Sequence, residues 1–205
     1  MEEETEEQPQ GEGTTDFDRN KVVGAAAKEM VRGLLESCRY AVLPFGYENV
    51  LAGVRPQIGD RKRFGRGDLA EQIRSMPDFL VLGEEELHLA EIKFRAGSLR
   101  RGYQRVPLNN WELARYQRFW SDAALVVVSP FRGGFHAQYL KDLHPRGGLD
   151  AVTKFSYDEF QPIEAIFKQA TGRDFTGFSQ GIKNLVTFWD AFPKRRGYYR
   201  RARRD

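Results

Sequence analysis

Residues 76–93 constrain the fold of this chain more than any other stretch. Two apolar runs, Phe79-Leu80-Val81-Leu82 and Leu87-His88-Leu89-Ala90, flank Gly83-Glu84-Glu85-Glu86, a turn-forming tetrapeptide, and together they read as a β-hairpin. An antiparallel register centred on Glu84 and Glu85 sets Leu82 opposite Leu87, Leu80 opposite Leu89 and Asp78 opposite Glu91. Directly opposed residues have Cβ atoms roughly 5 Å apart. Side chains alternate along a strand, so Glu91 and Lys93 share one face. Two carboxylates that close repel unless a cation or a proton lies between them. Mg²⁺, which prefers oxygen ligands and keeps several waters, is the cation that suits them. The competing reading is a hairpin whose polar residues face solvent, with Glu91 and Lys93 an ordinary surface pair.

The rest of the chain supplies elements to either side. Lys21 to Ser37 carries an apolar stripe (Val22, Ala26, Met30, Val31, Leu34, Leu35) at three-to-four spacing and predicts a helix, with Asp18 or Asn20 as its cap. Arg39 to Pro44 predicts a short strand. The Gly-, Pro- and Arg-rich span 45–75 predicts a long excursion with a short helix near Asp68–Arg74. Trp111–Trp120 predicts a second helix, and its aromatic stripe is most simply core packing. Ala123–Val128 is a continuous apolar run, as expected of a strand buried on both faces. Gly134–Leu140 predicts an edge strand, and Tyr157–Gln169 and Ser179–Phe192 predict C-terminal helices.

The motif Pro77-Asp78 followed by Glu91-Ile92-Lys93, set on paired apolar strands, resembles the PD-(D/E)xK nuclease superfamily, with a Holliday-junction-resolvase-like branch as one candidate within it. The resemblance covers roughly residues 20–130. It implies an α/β fold: a restriction-endonuclease-like sandwich with a central mixed β-sheet flanked by helices, core order αβββαβ, here with a C-terminal helical decoration. It implies that Asp78, Glu91 and the carbonyl of Ile92 hold Mg²⁺, with Mn²⁺ as a substitute, and that Lys93 orients or activates the attacking water. Many members carry a further glutamate in the first helix, a few residues after a glycine. Gly24-Ala25-Ala26-Ala27-Lys28-Glu29 makes Glu29 that candidate, at a spacing one longer than the commonest form, with Glu36 and Glu48 as fallbacks. Several families place an aromatic residue and a glutamine on the next helix, which points to Tyr116-Gln117 and to Gln117 as a contact for the water or the phosphate.

The expected organisation is an acidic, disordered segment 1–18, a nuclease-like domain 19–193 (core about 20–130, extension 131–193) and a basic tail 194–205. The net charge of +3 hides that asymmetry: residues 1–18 hold eight acids and no base, whereas 194–205 hold seven bases and one acid. Arginines attract phosphates, so Arg195, Arg196 and Arg200, interleaved with Tyr198 and Tyr199, are candidate DNA contacts. Arg61, Lys62, Arg63 and Arg66 in the excursion, Arg95 in strand phase with Lys93, and Arg100 and Arg101 beyond it are the others.

Several functions are excluded or disfavoured by what the chain lacks. It has a single cysteine, Cys38, so no intramolecular disulfide forms, which fits a reducing, cytoplasmic interior. No apolar run approaches about 18 residues, so no membrane span is expected. His88, His136 and His144 lack metal-ligand spacing, and no P-loop lysine motif predicts a nucleotide cofactor. The expected activity is metal-dependent hydrolysis of DNA phosphodiester bonds in repair, recombination or restriction. A homodimer is a further expectation, because cutting both strands often uses two sites. The rival readings are a nuclease-fold protein that binds nucleic acid without cutting it, and an assembly factor acting through its charged tails.

Overall fold

The computed structural model describes residues 16–47, 67–95, 105–129 and 134–191. Its centre is a six-stranded mixed sheet built from β1 (Ala41–Pro44), β2 (Phe79–Leu82), β3 (Leu87–Phe94), β5 (Ala124–Val128), β6 (Phe135–Tyr139) and β8 (Gln161–Pro162). The strands lie side by side in that order. Only β3 and β5 pair in parallel; every other pairing in the sheet is antiparallel. A parallel pair needs a long crossover, and here it runs through β4 (Arg105–Asn109) and helix α3 (Asn110–Trp120). Helix α1 (Asp16–Ser37) precedes β1, the short helix α2 (Asp68–Arg74) precedes β2, and α4 (Thr176–Ala191) follows the sheet. With those insertions the order αβββαβ is kept, and the fold class is the α/β sandwich expected.

Strand alternation divides the core into two layers. On one face Ala90 and Ile92 of β3 and Ala124, Val126 and Val128 of β5 pack with Val31, Leu34 and Leu35 of α1 and with Ile182 of α4. On the other face Leu125 and Val127 pack with Leu113 and Tyr116 of α3 and with Val106, Leu108 and Phe155. β5 is buried at all five residues, as its unbroken apolar run predicts. Cys38 is fully buried among the first layer.

The hairpin forms in the predicted register: Leu82 pairs with Leu87 and Leu80 with Leu89. Gly83 N–H donates to Glu86 O at 2.7 Å to close the turn. A Cβ on Gly83 would come within 2.8 Å of the Tyr40 ring, so glycine is what lets the turn lie against Tyr40, the residue before β1.

Three expectations are corrected. Helix α1 already begins at Asp16, so Asp18 and Asn20 lie inside it rather than capping it. Residues Tyr157–Gln169 are not a helix but short 3₁₀ turns at Tyr157–Glu159, Ile163–Ala165 and Lys168–Ala170, interrupted by β8. The buried positions Tyr157, Phe160 and Ile163 recur every three residues, which is the 3₁₀ period, and Pro162 cannot continue an α-helix. β6 is not an edge strand, because β8 pairs with it; Pro162 takes the edge, where no ladder N–H is needed. The C-terminal region is therefore only partly helical. It also contributes β7 (Val152–Ser156), which pairs with β4 in a second, two-stranded antiparallel sheet.

Candidate active site

Asp78 stands at the start of β2, one residue before Phe79, whose partner is Ala90. Extending that register by one step brings Asp78 opposite Glu91, as the sequence predicts. The backbone around Asp78 is fixed from the neighbouring strand: its carbonyl accepts hydrogen bonds from Phe45 N–H at 2.9 Å and Gly46 N–H at 3.3 Å. Its side chain bridges two elements. Oδ2 accepts from Ile92 N–H at 2.9 Å, and Oδ1 lies 2.5 Å from Nζ of Lys28 on α1. Burial, then the neighbouring Glu91 charge, push the Asp78 carboxyl up to about 6 against the opposing pull of Lys28 and Ile92 N–H.

Glu91 is a charged residue in the middle of a core strand, only 4% exposed. Its Oε1 accepts from Tyr116 Oη at 2.7 Å and lies 2.9 Å from Lys93 Nζ. Lys93 in turn donates to Glu112 Oε1 at 2.8 Å and sits 5.5 Å from the Tyr116 ring centroid. Burial alone would lower the ammonium's pKa; Glu91, with Tyr116 and Glu112, outweighs burial and holds it well above the usual lysine value. Burial works against the Glu112 carboxylate as well, but Lys93 overcomes it and keeps that carboxylate below the ordinary range. Tyr116 is raised by burial and by Glu91, so it stays a neutral donor. Three carboxylates thus face Lys28, Lys93 and Arg95, and Lys93 is clamped between two of them.

The expected set is brought together only in part. Asp78, Glu91, Ile92 and Lys93 converge, and Ile92 bonds Asp78 through its N–H. Glu29 does not join them: it is 67% exposed and pairs with Arg32 on its own helix. The reason is helical phase. Lys28 is three residues before Val31 and seven before Leu35, both fully buried, so Lys28 faces the sheet and Glu29 is turned away from it. Nor does Gly24 mark a close approach, since a Cβ there would meet nothing within 4 Å. Glu36 is likewise spent on Arg32, at 3.0 Å, and Glu48 lies outside the described residues. Gln117 points away from the site: its Nε2 donates to Leu140 O at 2.7 Å and Leu143 O at 2.5 Å, anchoring α3 to the segment after β6.

Of the expected DNA contacts, Arg95 is the one within the described residues. It donates from Nε to Pro107 O at 3.1 Å and from Nη1 to Phe94 O at 2.9 Å. It ties the end of β3 to β4 instead of projecting outward, and burial lowers its pKa against the pull of Glu112. Arg61, Lys62, Arg63, Arg66, Arg100, Arg101, Arg195, Arg196 and Arg200 lie outside the described residues. Sequence reasoning missed Lys28 and Glu112; it noted Tyr116 beside Gln117 in the resemblance and as core packing, but gave the site role to Gln117. Their signal was available as helix phase: Glu112 and Tyr116 are one turn apart on α3.

Among the described residues no group of three or more His, Cys, Asp or Glu side chains is placed to hold a metal. Asp78 and Glu91 are a two-carboxylate set. Mg²⁺ is commonly held by one or two carboxylates, with water and substrate phosphates completing its shell. The donor chemistry therefore suits that ion; each carboxylate of the pair already has a lysine partner, Lys28 on Asp78 and Lys93 on Glu91.

No protein-family model matches the chain, and no curated protein matches it. A solved structure of Hjc from Archaeoglobus fulgidus, a Holliday junction resolvase from an archaeal hyperthermophile, is similar at 12% sequence identity and a TM-score of 0.42, over 70% of this chain and 93% of that one. A likeness at that level assigns neither a family nor an activity to this chain. Among the described residues no helix is long and apolar enough to cross a membrane.

Proposed function

We propose that this chain is a divalent-metal-dependent deoxyribonuclease that hydrolyses phosphodiester bonds, acting in DNA repair, recombination or restriction. The observation that carries the reading is the placement of Asp78, one step past the Phe79–Ala90 pair and bonded to Ile92 N–H, next to Glu91, with the Lys93 ammonium 2.9 Å from Glu91 and 2.8 Å from Glu112. Charged groups in a sheet interior are costly unless they serve or satisfy one another. Asp78 and Glu91, with the Ile92 carbonyl, would hold Mg²⁺ or Mn²⁺. Such an ion supplies charge stabilisation at the phosphate and lowers the pKa of its water.

The chain's own residues define the remaining roles. Lys93 keeps its proton, so it acts as a fixed positive charge that orients a water and favours the developing charge on the phosphate, not as a free-amine base. Tyr116 and Glu112 act through others: Tyr116 orients Glu91, and Glu112 orients Lys93. The basic tail and the arginines of 61–66 and 100–101 would add phosphate contacts.

The test is cleavage of labelled duplex, single-stranded, flap and four-way-junction DNA with Mg²⁺ or Mn²⁺, with Glu91→Ala run beside the wild type. Cutting by the wild type alone supports the reading, and the preferred substrate names the pathway. Equal cutting by both proteins would sink it. One observation favours a second reading, binding of nucleic acid without chemistry: Asp78 is already neutralised by Lys28. That reading expects salt-sensitive binding and no metal-dependent cutting.

A further inference from the structure

Two lysines meet the carboxylate pair, and the structure holds them differently. Lys93 is 20% exposed and bonded to two carboxylates, one from its own strand and one from α3. Lys28 is 41% exposed and reaches Asp78 from α1. Lys28 presents an ammonium to a carboxylate of that pair. Both oxygens of Asp78 are engaged, one by Lys28 and one by Ile92 N–H. A divalent ion entering beside Asp78 would sit close to the ammonium, and like charges at that range repel strongly at the low effective dielectric of a half-buried site.

We propose that Lys28 is the resident counter-ion of Asp78 and competes with divalent metal for it, so that metal binding displaces Lys28 while Lys93 stays in place. The inference rests on the metal-centre reading above. It makes Lys28 a residue that sets metal affinity, in contrast to a salt bridge that merely joins α1 to the sheet.

The experiment is Mn²⁺ binding to the full chain without DNA, followed by the electron paramagnetic resonance signal of free Mn²⁺ at about pH 8, well above the usual carboxylate range. Lys28→Gln, whose amide can still donate to Asp78, is expected to bind Mn²⁺ on the order of tenfold more tightly than the wild type. Lys28→Arg, with a bidentate fork for the carboxylate, is expected to bind it more weakly. Glu29→Gln, on the solvent side of α1, is expected to match the wild type. A Lys28→Gln protein that binds Mn²⁺ no more tightly than wild type overturns the inference and leaves the metal centre standing. No binding by either protein overturns the metal centre, and this inference with it. Should Lys28→Gln fail to fold by circular dichroism, Lys28→Arg decides: unchanged Mn²⁺ affinity overturns the proposal.

Discussion

Asp78 carries the clearest pH dependence of any residue here. Its carboxyl binds a proton more tightly in the folded protein, at about 6, than at its unperturbed value of 3.8. The folded state therefore holds more protons across that window, and stability declines as pH rises through it. Asp78→Asn is expected to be more stable than the wild type at pH about 8, by about 1–3 kcal/mol, and to lose that advantage by pH about 4. Urea unfolding at the two pH values checks it. Cleavage, on the proposed reading, is expected to run the other way and rise as Asp78 ionises near 6, since the carboxylate is the form that would hold the metal. Glu112 offers a second prediction. Glu112→Gln leaves the Lys93 ammonium with one carboxylate; it should lower kcat by about 10- to 100-fold and, because the lowered Glu112 pKa makes its ionised form stabilising, also lower the melting temperature at neutral pH. At this scale Asp78, Glu91 and Lys93 were readable from the sequence, because strand alternation is a period of two that tolerates no ambiguity. The helix member was not: choosing Glu29 over Lys28 matched a residue type and overlooked that Lys28, not Glu29, shares the phase of Val31 and Leu35.

The elements show where local pattern suffices and where it misleads. β5 was legible because five consecutive apolar residues fit only a strand covered on both faces. The α2 and α3 boundaries follow from local composition. β4 and β7 were passed over although Val106, Leu108, Thr153 and Phe155 alternate in burial, because Pro107 and the short lengths obscured the period. Their junction is secured by Asn110, whose side-chain amide donates to Arg146 O and Gly148 O, both at 2.9 Å, while its Oδ1 accepts from Thr153 Oγ1 at 2.6 Å. Gln117 does the same for α3 and the segment after β6. Gln117→Ala removes the side-chain donor from Leu143 O and from Leu140 O, the second of which keeps Leu143 N–H, and is expected to cost about 1–3 kcal/mol in denaturant unfolding. Its effect on kcat at saturating metal and DNA should be small, because Gln117 faces away from Asp78 and Glu91. A loss of cleavage without a loss of stability would return Gln117 to the site.

For the whole molecule, charge arrangement decides more than net charge. The seven bases of 194–205 against the eight acids of 1–18 give opposite signs at the two ends of a chain whose sum is only +3. Removing residues 194–205 is expected to weaken binding to duplex DNA. It should also flatten the dependence of log affinity on log salt by about 0.9 for each phosphate that the tail neutralises. Filter binding across a salt series measures both; an unchanged slope would mean the tail touches no phosphate.

The sequence by itself determined the hairpin register, the opposed acids, the buried central strand and the polarity of the two ends. Each of these follows from short-range periodicity or from composition. Only the tertiary structure decided that Lys28 reaches Asp78, that Glu112 and Tyr116 close around Lys93 and Glu91, and that Gln117 turns away. Those interactions join residues 50, 19, 25 and 23 positions apart or more. They depend on how α1 and α3 are rotated against the sheet, and that rotation is set by burial of the two core layers together, which no single segment specifies.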